Sequence, residues 1–447
     1  HAPLDRGVRD RIVAEARGNP LALLELPGGV QFAGGFELPD VMSVPRRIED
    51  SFQRRSGSLP AATQQLMLVA ASEPTGDVAL LWRAAEQLGI DRDAAAPAET
   101  AGLLEIDSRV RFRHPLVRSA VYRAATPPQH RQAHHALAGA TDPRADPDRR
   151  AWHRAKAVLG TDEEAAAELE RSADRALARS GFAAAAAFLK HATDLTPEPA
   201  RRASRALDAA NAKHCAGAPE AAMELLESVD ATQLDALQRA RLELLRAQIT
   251  FHLTQGSEVP GMLLGAARML VPLDPSLARE TYLQAFDAAT ITGSPGLGAG
   301  LPEIAEAVTA VPAPLGTPGP ADLLLHGLVA AHNHGFETGV PVLRGALEAF
   351  REHAFPVETA QAGDAGNWLW LATRTAIGLF EDELVIVLAD RYVRFARDAG
   401  ALATLPAALL VSACTRVYTG ELALAAELAD EAAVITQVSG AKPMSFA

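Results

Sequence analysis

Cysteine, aromatic side chains and long apolar runs are all scarce in this sequence. Only two cysteines occur in 447 residues, Cys215 and Cys414, and neither belongs to a Cys-x-x-Cys pair or a Cys/His cluster, which excludes a disulfide framework and a thiolate zinc site. Aromatics make up 5% against 48% hydrophobic residues, so the apolar content is mainly Ala, Leu and Val, which suits closely packed helices better than sheets. No stretch approaches the roughly 20 consecutive apolar residues of a membrane helix, and no basic-then-apolar leader opens the chain. The expectation is a cytoplasmic protein with no membrane partner. No Gly-x-x-x-x-Gly-Lys-Ser/Thr loop occurs, and Gly296, Gly298 and Gly300 follow a helical pattern where a dinucleotide fingerprint needs a strand.

The formal charge is −13, from 42 Lys and Arg against 55 Asp and Glu. Residues 1–140 hold 16 of each sign, leaving 26 basic and 39 acidic side chains in residues 141–447. The acidic part would repel nucleic-acid phosphates. The chain opens on His1-Ala2-Pro3 and stops within an Ala-rich helical pattern at Ser445-Phe446-Ala447, so the expectation is a piece of a longer protein.

What is present is organised in three parts. An amphipathic pattern over about Asp5–Arg17 runs into Gly18-Asn19-Pro20-Leu21-Ala22-Leu23, where Gly and Asn end one helix and Pro opens the next. From Val44 to Ala140 short helices precede a hairpin. Val78, Leu81, Trp82, Ala85 and Leu88 share a helical face, while Leu104-Glu105-Ile106 and Val110-Arg111-Phe112 alternate around Asp107-Ser108. With a helix from Pro115 to about Arg123, this reads as a winged-helix module. Beyond Pro147 a glycine recurs at Gly181, Gly217, Gly256, Gly293, Gly335 and Gly420, at intervals of 36 to 42 residues until a last interval that fits one more unit turning near Phe380-Glu381-Asp382. That period predicts an α-solenoid of tetratricopeptide type, with stripes such as Phe182, Ala185, Ala186 and Leu189, or Leu237, Ala240, Leu244, Ala247 and Phe251, buried by stacking. Thr161-Asp162-Glu163-Glu164 reads as a capping box, and Thr292–Pro302 and Pro312–Pro320 as long turns or a hinge. The expected fold is therefore all-α: a winged-helix module with one small β-hairpin, followed by a tetratricopeptide-like array. The expected domains are 1–43, 44–146 and 147–447.

Candidate chemistry is thin. His130 and His134 stand four residues apart on a helix beside His135, but without the glutamate of a zinc-protease motif, so they read as solvated surface histidines. His332-Asn333-His334 reads as a turn, Trp368 and Trp370 as packing residues. Glu163-Glu164, Asp364 and Glu381-Asp382-Glu383 sit near helix starts, where carboxylates complement the dipole. Arg46, Arg47, Arg54, Arg55, Arg109, Arg111, Arg113 and Arg118 form the one basic concentration, read as interdomain ion pairs or phosphate contacts, with DNA as the alternative. No catalytic residue and no metal ligand is assigned.

Three segments carry a resemblance: Gly18-Asn19-Pro20-Leu21-Ala22-Leu23-Leu24-Glu25-Leu26-Pro27; Glu73-Pro74-Thr75-Gly76-Asp77 with Leu81-Trp82-Arg83-Ala84-Ala85; and Phe112-Arg113-His114-Pro115-Leu116-Val117-Arg118-Ser119-Ala120-Val121-Tyr122. Together with Ala151-Trp152-His153 they resemble the large ATP-binding LuxR-type transcription regulators of bacteria, members of the STAND class of signal-transduction NTPases. In that family an ATPase cassette, a winged helix, a helical sensor array and a DNA-binding helix-turn-helix follow one another, and only the middle is represented here. The resemblance implies that Gly18, Asn19 and Pro20 form the Gly-x-Pro motif that packs its proline on the adenine. It also implies that His114 is the histidine that meets the ADP β-phosphate, although Arg113 and Pro115 replace the family's flanking Met and Asp; a structural role for His114 is the alternative.

The implied function is that of a sensor and relay region. An unknown inducer, a small molecule or a protein, would act on the array and be coupled to an ATP/ADP switch in the protein's own nucleotide cassette and DNA-binding domain, with homo-oligomerisation on activation. No nucleotide is expected to be held tightly by this chain alone, and no enzymatic turnover is expected of it. A stand-alone scaffold binding a peptide or protein is the alternative, and an all-α enzyme would need a closed ring with a carboxylate-lined centre.

Overall fold

Proline and short carboxylates decide where helices begin in this chain. Pro115, Pro127, Pro147, Pro219 and Pro320 each occupy a first helical position, where a missing N–H is no loss and the fixed φ suits the helix. The computed structural model describes residues 53–179, 181–292, 300–312, 317–352, 368–398 and 404–439. The described helices fall into two compact units, residues 4–205 and the chain from Ala206 onward.

In the first unit, α1 (Ala61–Ser72) and α2 (Val78–Gln87) precede a short 3-10 turn and α3 (Ala96–Thr100). The hairpin β1 (Leu104–Ile106) and β2 (Val110–Phe112) follows, in antiparallel register with Leu104 opposite Phe112 and Ile106 opposite Val110. This is the expected wing, the only sheet among the described residues. Then come α4 (Pro115–Ala124), α5 (Pro127–Ala140), α6 (Pro147–Ala157), α7 (Glu163–Leu177) and α8 (Phe182–Leu195). Leu66, Met67, Leu80, Leu81, Leu103, Leu104 and Leu137 are almost wholly buried at the centre of the winged-helix core.

From α9 (Pro199–Cys215) the chain is helical hairpins: α10 (Pro219–Glu227), α11 (Ala236–Thr254), α12 (Val259–Leu270), α13 (Pro275–Thr292), α14 (Leu301–Thr309), α15 (Pro320–His334), α16 (Phe336–Glu352), α17 (Leu369–Gly378), α18 (Asp382–Asp398), α19 (Leu405–Tyr418) and α20 (Leu422–Ser439). Gly181, Gly217, Gly256, Gly335 and Gly420 all sit at turns within hairpins, and the further unit turns at Phe380 as expected. One continuous apolar core joins α11 to α20, because a stripe such as Ala240, Leu244 and Ala247 has no partner inside its own hairpin and is covered by the next. At α15 and α16 the two backbones come so close that a Cβ on Gly339 would collide with Ala331. Among the described residues no helix is long and apolar enough to cross a membrane.

One local expectation is corrected. The helix α7 does not open on a Thr161 capping box: Asp162 is the N-cap, accepting from the Ala165 N–H at 3.0 Å. Glu163 and Glu164 are drawn away by arginines, Glu163 to Arg205 at 2.9 Å and Glu164 to Arg154 at 2.6 Å, so neither carboxylate turns back to the cap. Residues 293–299 and 313–316 of the Pro/Gly-rich stretches, Gly293 among them, lie outside the described residues.

Candidate functional site

Glu73 ends α1 with its side chain 2% exposed, a placement a carboxylate tolerates only with donors on both oxygens. Oε1 accepts the Thr75 N–H at 2.8 Å and the Thr75 hydroxyl at 2.7 Å, a local turn written into Glu73-Pro74-Thr75. Oε2 lies 3.2 Å from Nε2 of His153, which belongs to α6 and is fully buried. Arg149, one helical turn earlier on α6, stands 3.8 Å from Oε1 and is also paired with Asp146 at 2.9 Å. Gly76 closes the segment with φ +69°, and its carbonyl accepts the Val110 N–H at 2.9 Å, tying the loop to the wing. Burial alone would raise the Glu73 carboxyl, but the hydrogen bond from His153, with the charges of His153 and Arg149, overcomes it and lowers Glu73 to about 2.

The chain of polar contacts continues inward. Nδ1 of His153 is 2.9 Å from Nδ1 of His134 on α5, and Nε2 of His134 is 3.2 Å from the Tyr122 hydroxyl on α4. Two ring nitrogens at that distance need one hydrogen between them, and with Glu73 ionised and His134 carrying a single proton two arrangements satisfy every bond. Tyr122 donates to His134, His134 to His153 and His153 to Glu73, or else a doubly protonated His153 donates to both His134 and Glu73 while His134 donates to Tyr122. The arrangements differ by one proton and by the direction of the hydrogens. Burial first, then the charges of His153, Lys156 and His130, pushes His134 well below the usual imidazole range.

The helix carrying His153 has a second face. Trp152 turns the other way, edge-on to Phe188 at 6.0 Å and to His191 at 4.7 Å, both on α8, with the Lys156 ammonium 4.9 Å above its ring. Ion pairs fasten α6 to α7 as well: Arg150 and Arg154 meet Glu168 at 3.2 and 2.7 Å, and Asp148 meets Arg175 at 2.6 Å. Adjacent residues on one helix thus grip the winged-helix module on one side and the first helical hairpin on the other.

Gly18, Asn19 and Pro20, expected to carry function, lie outside the described residues, as do Arg46, Arg47 and Asp364. His114 is the N-cap of α4, its Nδ1 accepting from the Leu116 N–H at 3.2 Å. The arginines are largely spent within the module, Arg55 on the Ala101 carbonyl at 2.7 Å, Arg118 on that of Ala71 at 2.9 Å and Arg111 on Asp107 at 3.0 Å. The reading of His130, His134 and His135 as a solvated set is corrected: His135 is exposed, but His134 is 3% exposed and inside the polar chain. Helical spacing placed His130 and His134 on one face and could not say that α6 would cover it. Sequence reasoning missed Glu73 and His153 as partners because 80 residues separate them.

A second carboxylate with a shifted acidity, half-buried, lies in the array. Asp287 on α13 receives both Trp370 Nε1–H at 3.1 Å and the Arg374 guanidinium at 2.8 Å, from α17, on the same oxygen, Oδ1. No donor among the described residues reaches Oδ2. Burial therefore prevails and raises Asp287 to about 6, against the lowering effect of Arg374 and Trp370. Its charge, with burial as the larger cause, raises the Tyr392 phenol on α18.

No family model matches the chain, and no curated protein matches it. Among solved structures, one likeness is to a signal transduction ATPase with numerous domains, a STAND protein with a tetratricopeptide repeat sensor, from Pyrococcus horikoshii. Its identity is 12% and its TM-score 0.32, covering 98% of this chain and 66% of that one. Another is to a Rap protein complexed with competence and sporulation factor, at 11% identity and TM-score 0.33, covering 89% of this chain and 99% of that one. Both are weak, and the meaning of the site rests on its own geometry: this is a helical-repeat chain in which a winged helix and a helical hairpin share one doubly gripped helix.

Proposed function

We propose that the chain is the sensor and relay region of an ATP-dependent transcription regulator of the LuxR type. The array takes up an inducer, and α6 passes the change to the winged helix. The observation that carries this reading is the pair Trp152 and His153, which points one helix at Phe188 on one side and at Glu73 and His134 on the other. A displacement of α8 that moves Trp152 must turn His153, and a 2.9 Å contact between buried imidazoles does not survive such a turn unaltered. In this reading 1–43 ends the nucleotide cassette, 44–146 is the winged helix and 147–447 the sensor. Gly18, Asn19, Pro20 and His114 face ATP or ADP in the parent protein, in the cytoplasm, and activation leads to oligomers that bind DNA. The chain by itself turns over no ATP.

The test is amide hydrogen exchange on the purified chain carrying Phe188→Ala. A relay predicts altered protection in Glu73–Asp77 and the wing, 104–112, beyond the repacking of α6 and α8. Change confined to α6, α7 and α8 would remove the relay. A stand-alone scaffold that binds a peptide or protein is the second reading, favoured by the apolar residues exposed on the hairpin turns of the array; partner binding that leaves exchange in the wing untouched would select it.

A further inference from the structure

Twelve large apolar side chains stand exposed among the described residues, and six of them, Phe336, Ile377, Phe380, Val417, Tyr418 and Leu422, are gathered at the turns of the last three hairpins, α15/α16, α17/α18 and α19/α20. The turns at Gly181, Gly217 and Gly256 carry none, so the surplus is not a property of the repeat. Phe380 is the most telling. It is 87% exposed and has φ +58°, in the left-handed region that Gly217, Gly335 and Gly420 occupy at φ +78° to +83° in the sibling turns. Glycine would hold that backbone without strain, and the phenyl ring buries almost nothing at home. Neither the turn nor the core accounts for the side chain.

The surroundings are acidic. Segments 334–340, 377–383 and 417–423 contain Glu337, Glu381, Asp382, Glu383 and Glu421 and no Lys or Arg. Two arginines reach in from the helices. Arg344 on α16 closes on Glu381 at 2.6 Å, and Arg416 at the end of α19 closes on Asp390 at 2.6 Å and Glu421 at 3.1 Å. The first pair fastens the α17/α18 turn to α16 and the second ties α19 to α18, while the stacking of successive hairpins on one core sets the three turns along one edge. Glu337, Asp382 and Glu383 remain exposed and meet no arginine or lysine among the described residues.

We propose that this edge docks a cationic amphipathic helix of a partner protein, its apolar face on Phe336, Phe380 and Tyr418 and its lysines or arginines on Glu337, Asp382 and Glu383. A second copy of the chain would bring the same acids against themselves, and an anionic membrane surface would be repelled alike. The proposal goes beyond the relay reading and does not depend on it.

Fluorescence anisotropy with the full chain and a labelled Leu/Lys amphipathic peptide tests it, with a Leu/Glu peptide as the control. Phe380→Gly is expected to weaken the Leu/Lys peptide at least about tenfold while the melting temperature holds or rises. Asp382→Asn with Glu383→Gln is expected to weaken binding and flatten its salt dependence, and Leu159→Ser, exposed elsewhere, to change nothing. Equal binding by Phe380→Gly or by the Leu/Glu peptide would overturn the proposal. So would a lower melting temperature in Phe380→Gly, which would make the ring a packing residue. Self-association of the parent chain that Phe380→Gly abolishes would give the edge to a second copy instead.

Discussion

Among the described residues, Glu73 with its side chain 2% exposed and Asp287 at 16% are carboxylates whose acidities move in opposite directions. Glu73, in the first unit, is lowered to about 2, and Asp287, in the second, is raised to about 6. Burial pushes both upward, so the difference lies in the donors. Glu73 has Thr75 on one oxygen and His153 on the other, with Arg149 close by, whereas both donors to Asp287 share Oδ1. A buried carboxylate stays charged at little cost when both oxygens are met, and a guanidinium on one oxygen does not replace a donor on the other. The first arrangement fixes a helix in place; the second leaves a group that changes charge near pH 6.

The largest effect is expected at His153. His153→Ala leaves Glu73 buried without its Oε2 donor and His134 without its neighbour, an expected loss of about 3 kcal/mol in urea unfolding, with exchange rising first in 61–77 and 147–157. A loss under about 1 kcal/mol would mean that Thr75 and Arg149 suffice. Gly76→Ala is next, at about 2 kcal/mol, because the added Cβ would meet the Val110 carbonyl oxygen at 2.5 Å and φ is +69°. Its exchange should rise in the wing and leave the array unchanged.

The opposite shifts also set opposite pH windows. With a folded value below the unfolded one, Glu73 contributes stability above about pH 4.5 that is lost as pH falls toward 2, and His134, kept neutral, costs stability as pH falls below the ordinary imidazole value of 6.5. Asp287 has the reverse sign: raised from 3.8 to about 6, it holds its proton in the folded state, and its contribution is lost as pH rises through that interval. Asp287→Asn should therefore remove a decline on the order of 1–2 kcal/mol between pH 4 and 6, visible as a flatter melting temperature against pH. The smallest effect is expected from Trp370→Phe, about 1 kcal/mol for one lost donor, and it sharpens the contrast by raising Asp287 further.

Much of the fold was legible because its signals are local. The alternation Leu104-Glu105-Ile106 and Val110-Arg111-Phe112 predicted the wing to the residue, and the recurrent glycines marked turns within hairpins. The cap at α7 was misplaced by one residue because Arg154 on the preceding helix and Arg205, 42 residues from Glu163, draw Glu164 and Glu163 away. The site was barely legible. Glu73-Pro74-Thr75-Gly76-Asp77 and Ala151-Trp152-His153 stood out as motifs, yet nothing in either states that they meet.

By itself, the sequence determined an all-α chain with a single wing and a stacked array, because helical periodicity, caps and turn glycines act within a few residues and survive any rearrangement of the whole. Only the tertiary structure decided that His134 is buried and not solvated, that Glu73 is lowered and Asp287 raised from the ordinary carboxylate range, and that Phe380 stands where a glycine would serve. Burial and donor count depend on which distant helices come to lie against a side chain, and spacing along a strand or helix carries no record of that.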